Sequence, residues 1–396
     1  MKKKIVLIML EPPCPFGGAA GRWYYVLYKE LLKRSYDVHA FAACSSMENL
    51  KEARKLFPEQ TLRLYSFPQR KGLQKKIHTL IRPFSYMFDD QMIFDIHQEL
   101  EKGCDIIHLE QMWSAWTIID DEKFKKKALL NVHYLSSIDL EFTAKEELKE
   151  KITVWLMKRT EKMLAAEFPF VRAITPRLKN KLHEWNPQSQ HFFSPFGIDP
   201  SLYEYINDSQ REINCGGSKT ISLIASMNWY PGLSAAKRLL EKLWPELKKM
   251  NPDAKLQIVG WGARTALKNY LNLPDIEILE NVPSIQEYFE KSSLILYAPE
   301  RGSGVKIKIL EAMLFGIPVV TTSEGVEGID YKNGIHALVG ETDQELITLA
   351  HQLLNNKGQQ KNIRVAARKL IENNFSPEST VNALEQIYDK ILSRGL

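Results

Sequence analysis

Short apolar runs alternate with amphipathic stretches along this chain, in two series separated by a single lapse. In the first series Ile5–Leu10, Val38–Ala43, Leu62–Tyr65, Asp105–Leu109, Leu129–His133, Phe170–Ile174 and His191–Ser194 read as strands. Helices fall between them. One runs through Arg34, one opens on the capping-box pattern Ser45-x-x-Glu48, and a long charged one spans about Asp139 to Ala166. Residues 195–217 then carry the Pro, Gly, Asp, Asn and Ser that punctuate loops. The second series has strands at Thr220–Ile224, Leu256–Val259, Ile276–Leu279, Leu294–Tyr297 and Val319–Thr321. Its helices are Ala235–Lys249, Ala263–Leu271, Ile285–Glu290 and Val305–Phe315, with a helical tail from Gln344 to Leu396. Strand and helix alternating in this way build an α/β fold of parallel sheets.

A chain of 396 residues is too long for one core, so two doubly wound, Rossmann-like domains are expected. The boundaries read as 1–195, a linker at 196–218, 219–376, and a closing segment at 377–396. Two such halves joined by a loop would face a central cleft, with ligands outside the carboxyl ends of the strands.

Composition excludes several classes. Apolar residues are 44% and charged residues 26%, unlike a disordered, collagen-like or disulfide-dense protein. No apolar stretch nears the roughly 18 residues of a spanning helix. Cys14, Cys44, Cys104 and Cys215 form no CxxC pair, which points to no metal, no disulfide and a reducing, cytoplasmic compartment. A net charge of +5 does not imply nucleic acid. Met1 to Lys4 precede Ile5–Leu10, but that run stops at Glu11-Pro12-Pro13, short of the roughly 7–15 apolar residues of a signal peptide. A buried first strand is the better reading.

Two glycine-rich turns can carry chemistry. Gly17, Gly18 and Gly21 lie between a strand and a helix, so their amides can meet an anion or a sugar, or simply form a tight turn. As a dinucleotide fingerprint the cluster fails: Phe16 stands where the first glycine belongs, and no acid follows the second strand at Phe41-Ala42-Ala43-Cys44. The more informative segment is Pro299 to Val320. A strand ends, Arg301-Gly302-Ser303-Gly304-Val305 forms a loop, and a helix runs to Gly316, a natural C′ glycine. The free amides and partial positive charge of that helix start suit a diphosphate. Lys306 and Lys308 oppose the helix dipole there, so they point to an anionic ligand, the alternative being that both face water. Glu311 falls at the border of the apolar arc of Ile307, Leu310, Met313 and Leu314. It can accept hydrogen bonds from a ribose diol or pair with Lys308.

The order of these pieces resembles a retaining GT-B glycosyltransferase of the family 4 type, over almost the whole chain. The carriers in the C-terminal half are Leu256–Gly262, Leu294–Pro299, Ile309-Leu310-Glu311-Ala312-Met313 and Gly316–Val320. Ser226-Met227-Asn228-Trp229-Tyr230-Pro231 is similar to a polysaccharide-type subgroup. The N-terminal half adds the glycine turn, Asp105-Ile106-Ile107-His108-Leu109-Glu110, Val132-His133 and Phe196-Gly197-Ile198-Asp199.

The resemblance implies a nucleotide-sugar co-substrate held mainly by the C-terminal domain, a glycan or lipid-linked acceptor held mainly by the N-terminal one, and neither metal nor further cofactor. It implies catalytic-site roles for His133, Lys308 and Glu311. Donor contacts fall to Gly17, Gly18, Asn228, Gly260, Gly262, Arg301, Gly302, Ser303, Gly304, Val305, Lys306 and Glu311. It also implies that the last helix, from about Pro377, returns to the first half. Glu311 matches the second Glu of the family's E-x7-E motif; the first is replaced by Ser303, with Glu300 out of register. Met227-Asn228-Trp229 stands where an Arg and a Lys often follow the first C-domain strand, and Lys237 is a later cation. Ser303 motivates the alternative of a catalytically silent scaffold; a nucleotide-sugar epimerase is the third reading.

Residues 67–88, FPQRKGLQKKIHTLIRPFSYMF, hold Arg70, Lys71, Lys75, Lys76 and Arg82 and no acid. Leu73, Ile77, Leu80 and Ile81 share a helical face, followed by Phe84, Tyr86, Met87 and Phe88. Basic and apolar together suit an anionic membrane surface, peripheral contact at the inner face of the plasma membrane; the alternative is a packed helix with a solvated basic face.

Overall fold

A computed structural model describes residues 2–57, 61–68, 79, 81–143, 148–215 and 219–394. The chain divides into two units: Met1–Ile198 with Pro377–Leu396, and Asp199–Ser376.

The first unit is built on a parallel sheet of seven strands: β1 (Lys4–Met9), β2 (Asp37–Cys44), β3 (Leu62–Ser66), β4 (Ile106–Glu110), β5 (Ala128–Val132), β6 (Phe170–Ala173) and β7 (Gln190–Phe193). Their spatial order is β3-β2-β1-β4-β5-β6-β7, so the winding reverses between β1 and β4. β1, Lys-Ile-Val-Leu-Ile-Met, is buried at every residue after Lys4. That continuity is what a strand covered by helices on both faces requires.

The second unit has a six-stranded parallel sheet: β8 (Lys219–Ile224), β9 (Ala254–Val259), β10 (Ile276–Leu279), β11 (Leu294–Tyr297), β12 (Val319–Thr321) and β13 (Leu338–Val339), in the order β10-β9-β8-β11-β12-β13. Its winding reverses between β8 and β11. Ligands of open parallel sheets gather at such reversals.

Three local readings change. The stretch 195–217, read as a loop, contains the helix Asp208–Cys215. Its start is a reciprocal cap: Asn207 Oδ1 accepts from the Gln210 amide at 2.9 Å, and Gln210 Oε1 accepts from the Asn207 amide at 2.9 Å. The punctuating residues mark the helix end rather than a continuous loop. Among the described residues the long charged helix covers Ser136–Thr143 and Leu148–Glu167, starting before the expected Asp139. The helix predicted at Ala235–Lys249 starts earlier, at Tyr230, and contains a π turn at Leu239–Leu243 before Trp244–Met250. Pro245 explains the turn, since it lacks an N–H and crowds the preceding turn.

The last helix, Pro377–Arg394, packs within the first unit against the helix Ala19–Lys33. Arg34 Nη1 donates to Glu385 Oε2 at 2.6 Å, and Tyr36 donates to Glu385 Oε1 at 2.8 Å. In the second unit Arg364 donates to the Gly316 carbonyl at 2.6 Å, to Asp208 Oδ1 at 2.6 Å and to the Ile206 carbonyl. That buried guanidinium ties the entry of the unit to the end of the helix Ile307–Phe315.

The basic segment is only partly described: Arg70, Lys71, Leu73, Lys75, Lys76, Ile77 and Leu80 lie outside the described residues. Of the remainder, Phe88 is buried, and Phe84 and Met87 pack on the same core. Arg82 pairs with Asp120 at 2.9 Å and lies 5.3 Å over the Trp116 ring. These apolar residues therefore serve the core rather than an outer face, because the backbone turns at Phe84, at φ 63°.

Beyond β5, Glu161 reaches from the helix Leu148–Glu167 to the start of Ser136–Thr143. It accepts from the Ser137 hydroxyl at 2.5 Å and from its amide at 3.3 Å. Burial pushes its carboxyl up to about 7, the Ser137 hydrogen bonds only partly offsetting it. Between the ordinary carboxylate value and about 7, the folded chain keeps a proton that the unfolded chain has lost. Stability therefore falls as pH rises through that window. Glu161→Gln, which cannot ionise, is expected to gain stability over the parent from about pH 5 to pH 8, by on the order of 2 kcal/mol at the upper end. Denaturant titrations across that range check this; a pH-independent difference overturns it.

Candidate functional site

Parallel pairing aligns polar residues in neighbouring strands of the first sheet. Glu110 of β4 pairs with Asn131 of β5, and Asn131 with Arg172 of β6. His108 and His133 lie two residues from Glu110 and Asn131, hence on the same face. All five are buried, and Glu110 has no exposed surface. Glu110 is the centre. Its carboxylate accepts from Asn131 Nδ2 at 2.7 Å and from the Trp23 indole at 3.1 Å, and lies 2.7 Å from both His108 Nε2 and His133 Nε2. Arg172 donates to Asn131 Oδ1 at 2.8 Å and lies 4.9 Å over the Trp23 ring. Tyr388, from the last helix, meets His108 Nδ1 at 2.5 Å.

The electrostatics follow. Burial would raise the Glu110 carboxyl, but His108 and His133 overcome it and hold the group well below the usual carboxylate range. Burial lowers the His133 imidazole despite Glu110, so it is neutral near pH 7. An ionised carboxylate only accepts, so His133 carries its proton on Nε2 and Nδ1 presents a lone pair. Burial brings Arg172 down to about 10, which leaves it a cation. His133 follows β5 directly and stands beside the Phe196 and Tyr24 rings, at 5.8 and 6.0 Å between centroids.

Sequence reasoning singled out His133 and quoted Glu110 only within a family-resembling segment; it missed the cluster that Glu110 forms with His108, Asn131, Arg172, Trp23 and Tyr388. A signal was present: Glu, Asn and Arg inside otherwise apolar strands are the buried polar groups that need an explanation.

The glycine turn of the same unit is already engaged. Glu11 Oε1 accepts from the Gly21 amide at 2.8 Å, and Arg22 Nε donates to the Gly17 carbonyl at 2.8 Å. Burial pushes the Glu11 carboxyl up. An internal carboxylate thus occupies the helix start where Gly17 and Gly18 were read as a cradle for an anion or sugar.

In the second unit, residues beyond β8, β9 and β11 converge. Gly262, at φ 74°, packs so closely on Asn228 that a Cβ would stand 2.3 Å from Asn228 Oδ1. The Gly262 amide donates to Glu280 Oε1 at 3.1 Å, and the Gly260 amide donates to the Leu279 carbonyl at 3.0 Å. A Cβ at Gly302 would lie 2.6 Å from Pro231, which brings the Arg301–Lys306 loop against the residues after β8. Arg301 and Asn228 are exposed, whereas Gly302, Ser303 and Gly304 are buried and Val305 is half-buried.

The helix starts at Ile307, two residues later than the pattern suggested, because Gly304 takes the left-handed conformation at φ 80°. Lys306 is buried rather than water-facing: it donates to the Gly304 carbonyl at 2.6 Å and lies 3.5 Å from Glu327. Glu311 is 1% exposed, well inside the border position expected for it. Its Oε2 is 2.7 Å from Lys308 Nζ, and its Oε1 accepts from the Tyr203 hydroxyl at 3.4 Å. Among the described residues no group of His, Cys, Asp and Glu is arranged to hold a metal ion.

A family model described as glycosyl transferases group 1 matches residues 218–356. An uncharacterized glycosyltransferase of Haemophilus influenzae is 31% identical over 147 residues, 35% of this chain and 40% of that protein. An uncharacterized 44.6 kDa protein from the cps region of Klebsiella pneumoniae is 22% identical over 402 residues, 96% of this chain and 98% of that one. Among solved structures, sucrose-phosphate synthase of Thermosynechococcus elongatus superposes with a TM-score of 0.72 at 15% identity, covering 99% of this chain and 100% of that chain. Anabaena HepE in complex with UDP-glucose gives 0.68 at 14%, covering 98% and 99%. The chain is thus similar to the group 1 glycosyltransferases over its second unit and has the GT-B fold over its whole length.

Proposed function

We propose that this chain moves a sugar from a nucleotide diphosphate to a glycan or lipid-linked acceptor, with retention, in the assembly of a cell-surface polysaccharide. The observation that carries the reading is Glu311. It is a buried carboxylate one turn into the helix that follows the Arg301–Lys306 loop, inside the segment that matches the family. A carboxylate so placed suits a ribose diol, and the loop and helix start before it suit a diphosphate. HepE was solved with UDP-glucose, which supports a uridine donor, and the Klebsiella relative lies in a cps region, which supports a surface glycan.

On this reading Lys308, now paired with Glu311, turns to the leaving diphosphate, and Asn228, Gly260 and Gly262 meet the nucleotide. Ser303 offers a hydroxyl and an amide where the family has a carboxylate. His133 meets the transferred sugar. The leaving diphosphate takes the acceptor proton, so the protein's work is to position both substrates and stabilise the departing charge. Ser303 is also the observation that favours a silent scaffold. The basic run Arg70–Lys76 is proposed to touch an anionic membrane, and Lys75→Glu with Lys76→Glu would weaken that contact.

Thermal shift with UDP, GDP, ADP and their sugars tests the reading directly. One base series is expected to stabilise the protein, by about 2.7 kcal/mol at a hundredfold excess over Kd. Glu311→Ala should abolish both that shift and sugar transfer. Background transfer across the whole donor panel would instead favour the scaffold.

Glu110 carries a separate expectation. Glu110→Gln keeps the shape but removes the charge that fixes the His133 tautomer. Transfer should fall about tenfold or more in kcat, equivalent to about 1.4 kcal/mol, with donor KM little changed. Unchanged kcat would assign the cluster to folding only.

A further inference from the structure

The helix Leu148–Glu167 has two apolar faces. Met157, Leu164 and Ala165 are buried against the first unit. On the other side Leu148, Ile152, Trp155 and Met163 are 75%, 48%, 59% and 42% exposed. At about 100° per residue these four lie within one arc of about 80°. Arg159 sits inside that arc, its guanidinium 5.7 Å over the Trp155 ring. Lys151, Lys158 and Lys162 follow one edge and Lys149 the other, all exposed. The acids turn away: Glu161 is buried under the helix, Glu150 lies on the inward arc, and Glu167 pairs with Lys125 at 2.5 Å.

A run of large apolar side chains along an outer helix face marks a contact surface. Charge selects the occupant. A second copy docked through the same face would set cations against cations. An anionic lipid surface satisfies both features: the four apolar side chains enter the boundary of headgroups and acyl chains, and the lysines and Arg159 meet lipid phosphates.

We propose that the outer face of the helix Leu148–Glu167 is a docking surface for an anionic membrane. It does not depend on the sugar-transfer reading, and it is separate in sequence from the basic segment at residues 67–88, where Phe84, Met87 and Phe88 face the core and Ile81 is exposed.

The test is co-sedimentation of the full chain with phosphatidylcholine vesicles, with and without phosphatidylglycerol. The parent should bind the anionic vesicles, and less so as salt rises, since screening shortens the reach of the lysines. Ile152→Ser with Trp155→Ser and Met163→Ser should weaken binding about tenfold or more at every salt concentration. Lys151→Glu with Lys158→Glu and Lys162→Glu should remove the preference for phosphatidylglycerol. Circular dichroism and the nucleotide-induced thermal shift report whether the variants remain folded. Serine variants that bind like the parent overturn the proposal, including the case where only Lys75→Glu with Lys76→Glu loses binding. So does a parent that binds neither vesicle. A concentration-dependent dimer in sedimentation velocity, abolished by the serine variants without any vesicle binding, would make the face a self-association surface and overturn it as well. Transfer to a soluble acceptor is read separately, so failure here leaves the enzymatic reading untouched.

Discussion

An ionised carboxylate with no exposed surface must be neutralised where it stands, and much of the first unit is organised around doing that for Glu110. Two imidazoles, an amide and an indole surround it, and Arg172 supplies a cation through Asn131. Removing one partner from such a buried arrangement typically costs about 3–5 kcal/mol, because the remaining charge is left unpaired. The demand reaches far along the chain. Trp23 comes from the first helix, His108 and Glu110 from β4, Asn131 from β5, Arg172 from β6, and Tyr388 from the last helix. A group that contributes no apolar packing thereby specifies how these elements assemble, and leaves His133 neutral with a defined tautomer at the end of its strand.

The second unit meets a different constraint. Its candidate donor residues sit on loops, and the loops are held by close backbone approach rather than by a buried charge network. Asn228 lies against Gly262, and Gly302 against Pro231, at distances that leave no room for a side chain. The charged residues there are paired locally, Lys306 with Glu327 and Lys308 with Glu311. On the proposed reading, a diphosphate that takes Lys308 would draw it away from Glu311, since one ion pair now joins the two side chains.

Strand positions were legible because parallel strands covered on both faces must be apolar throughout, and runs such as Ile5–Leu10 and Leu294–Tyr297 can hardly be anything else. Helix ends were less so. The start of the helix before Phe315 depends on the backbone conformation of Gly304, and the helix Asp208–Cys215 depends on a reciprocal cap between Asn207 and Gln210. Neither changes the apolar pattern. The outer stripe of Leu148–Glu167 was hidden for a related reason: its apolar residues surround the helix, and interleaved lysines make the segment read simply as charged.

By itself the sequence determined that there would be two wound α/β halves, that a glycine loop followed by a helix would present Glu311, and that His133 would end a strand. These follow from local periodicity and from residues whose conformational roles are narrow. Tertiary structure alone decided that Glu110, Asn131 and Arg172 form one row, since strand register is set by pairing between distant segments. It alone decided that Tyr388 joins them from 280 residues beyond His108, and that Lys306 turns inward to Glu327. Side-chain burial is a property of what packs above a residue, and that partner is not written in its neighbourhood.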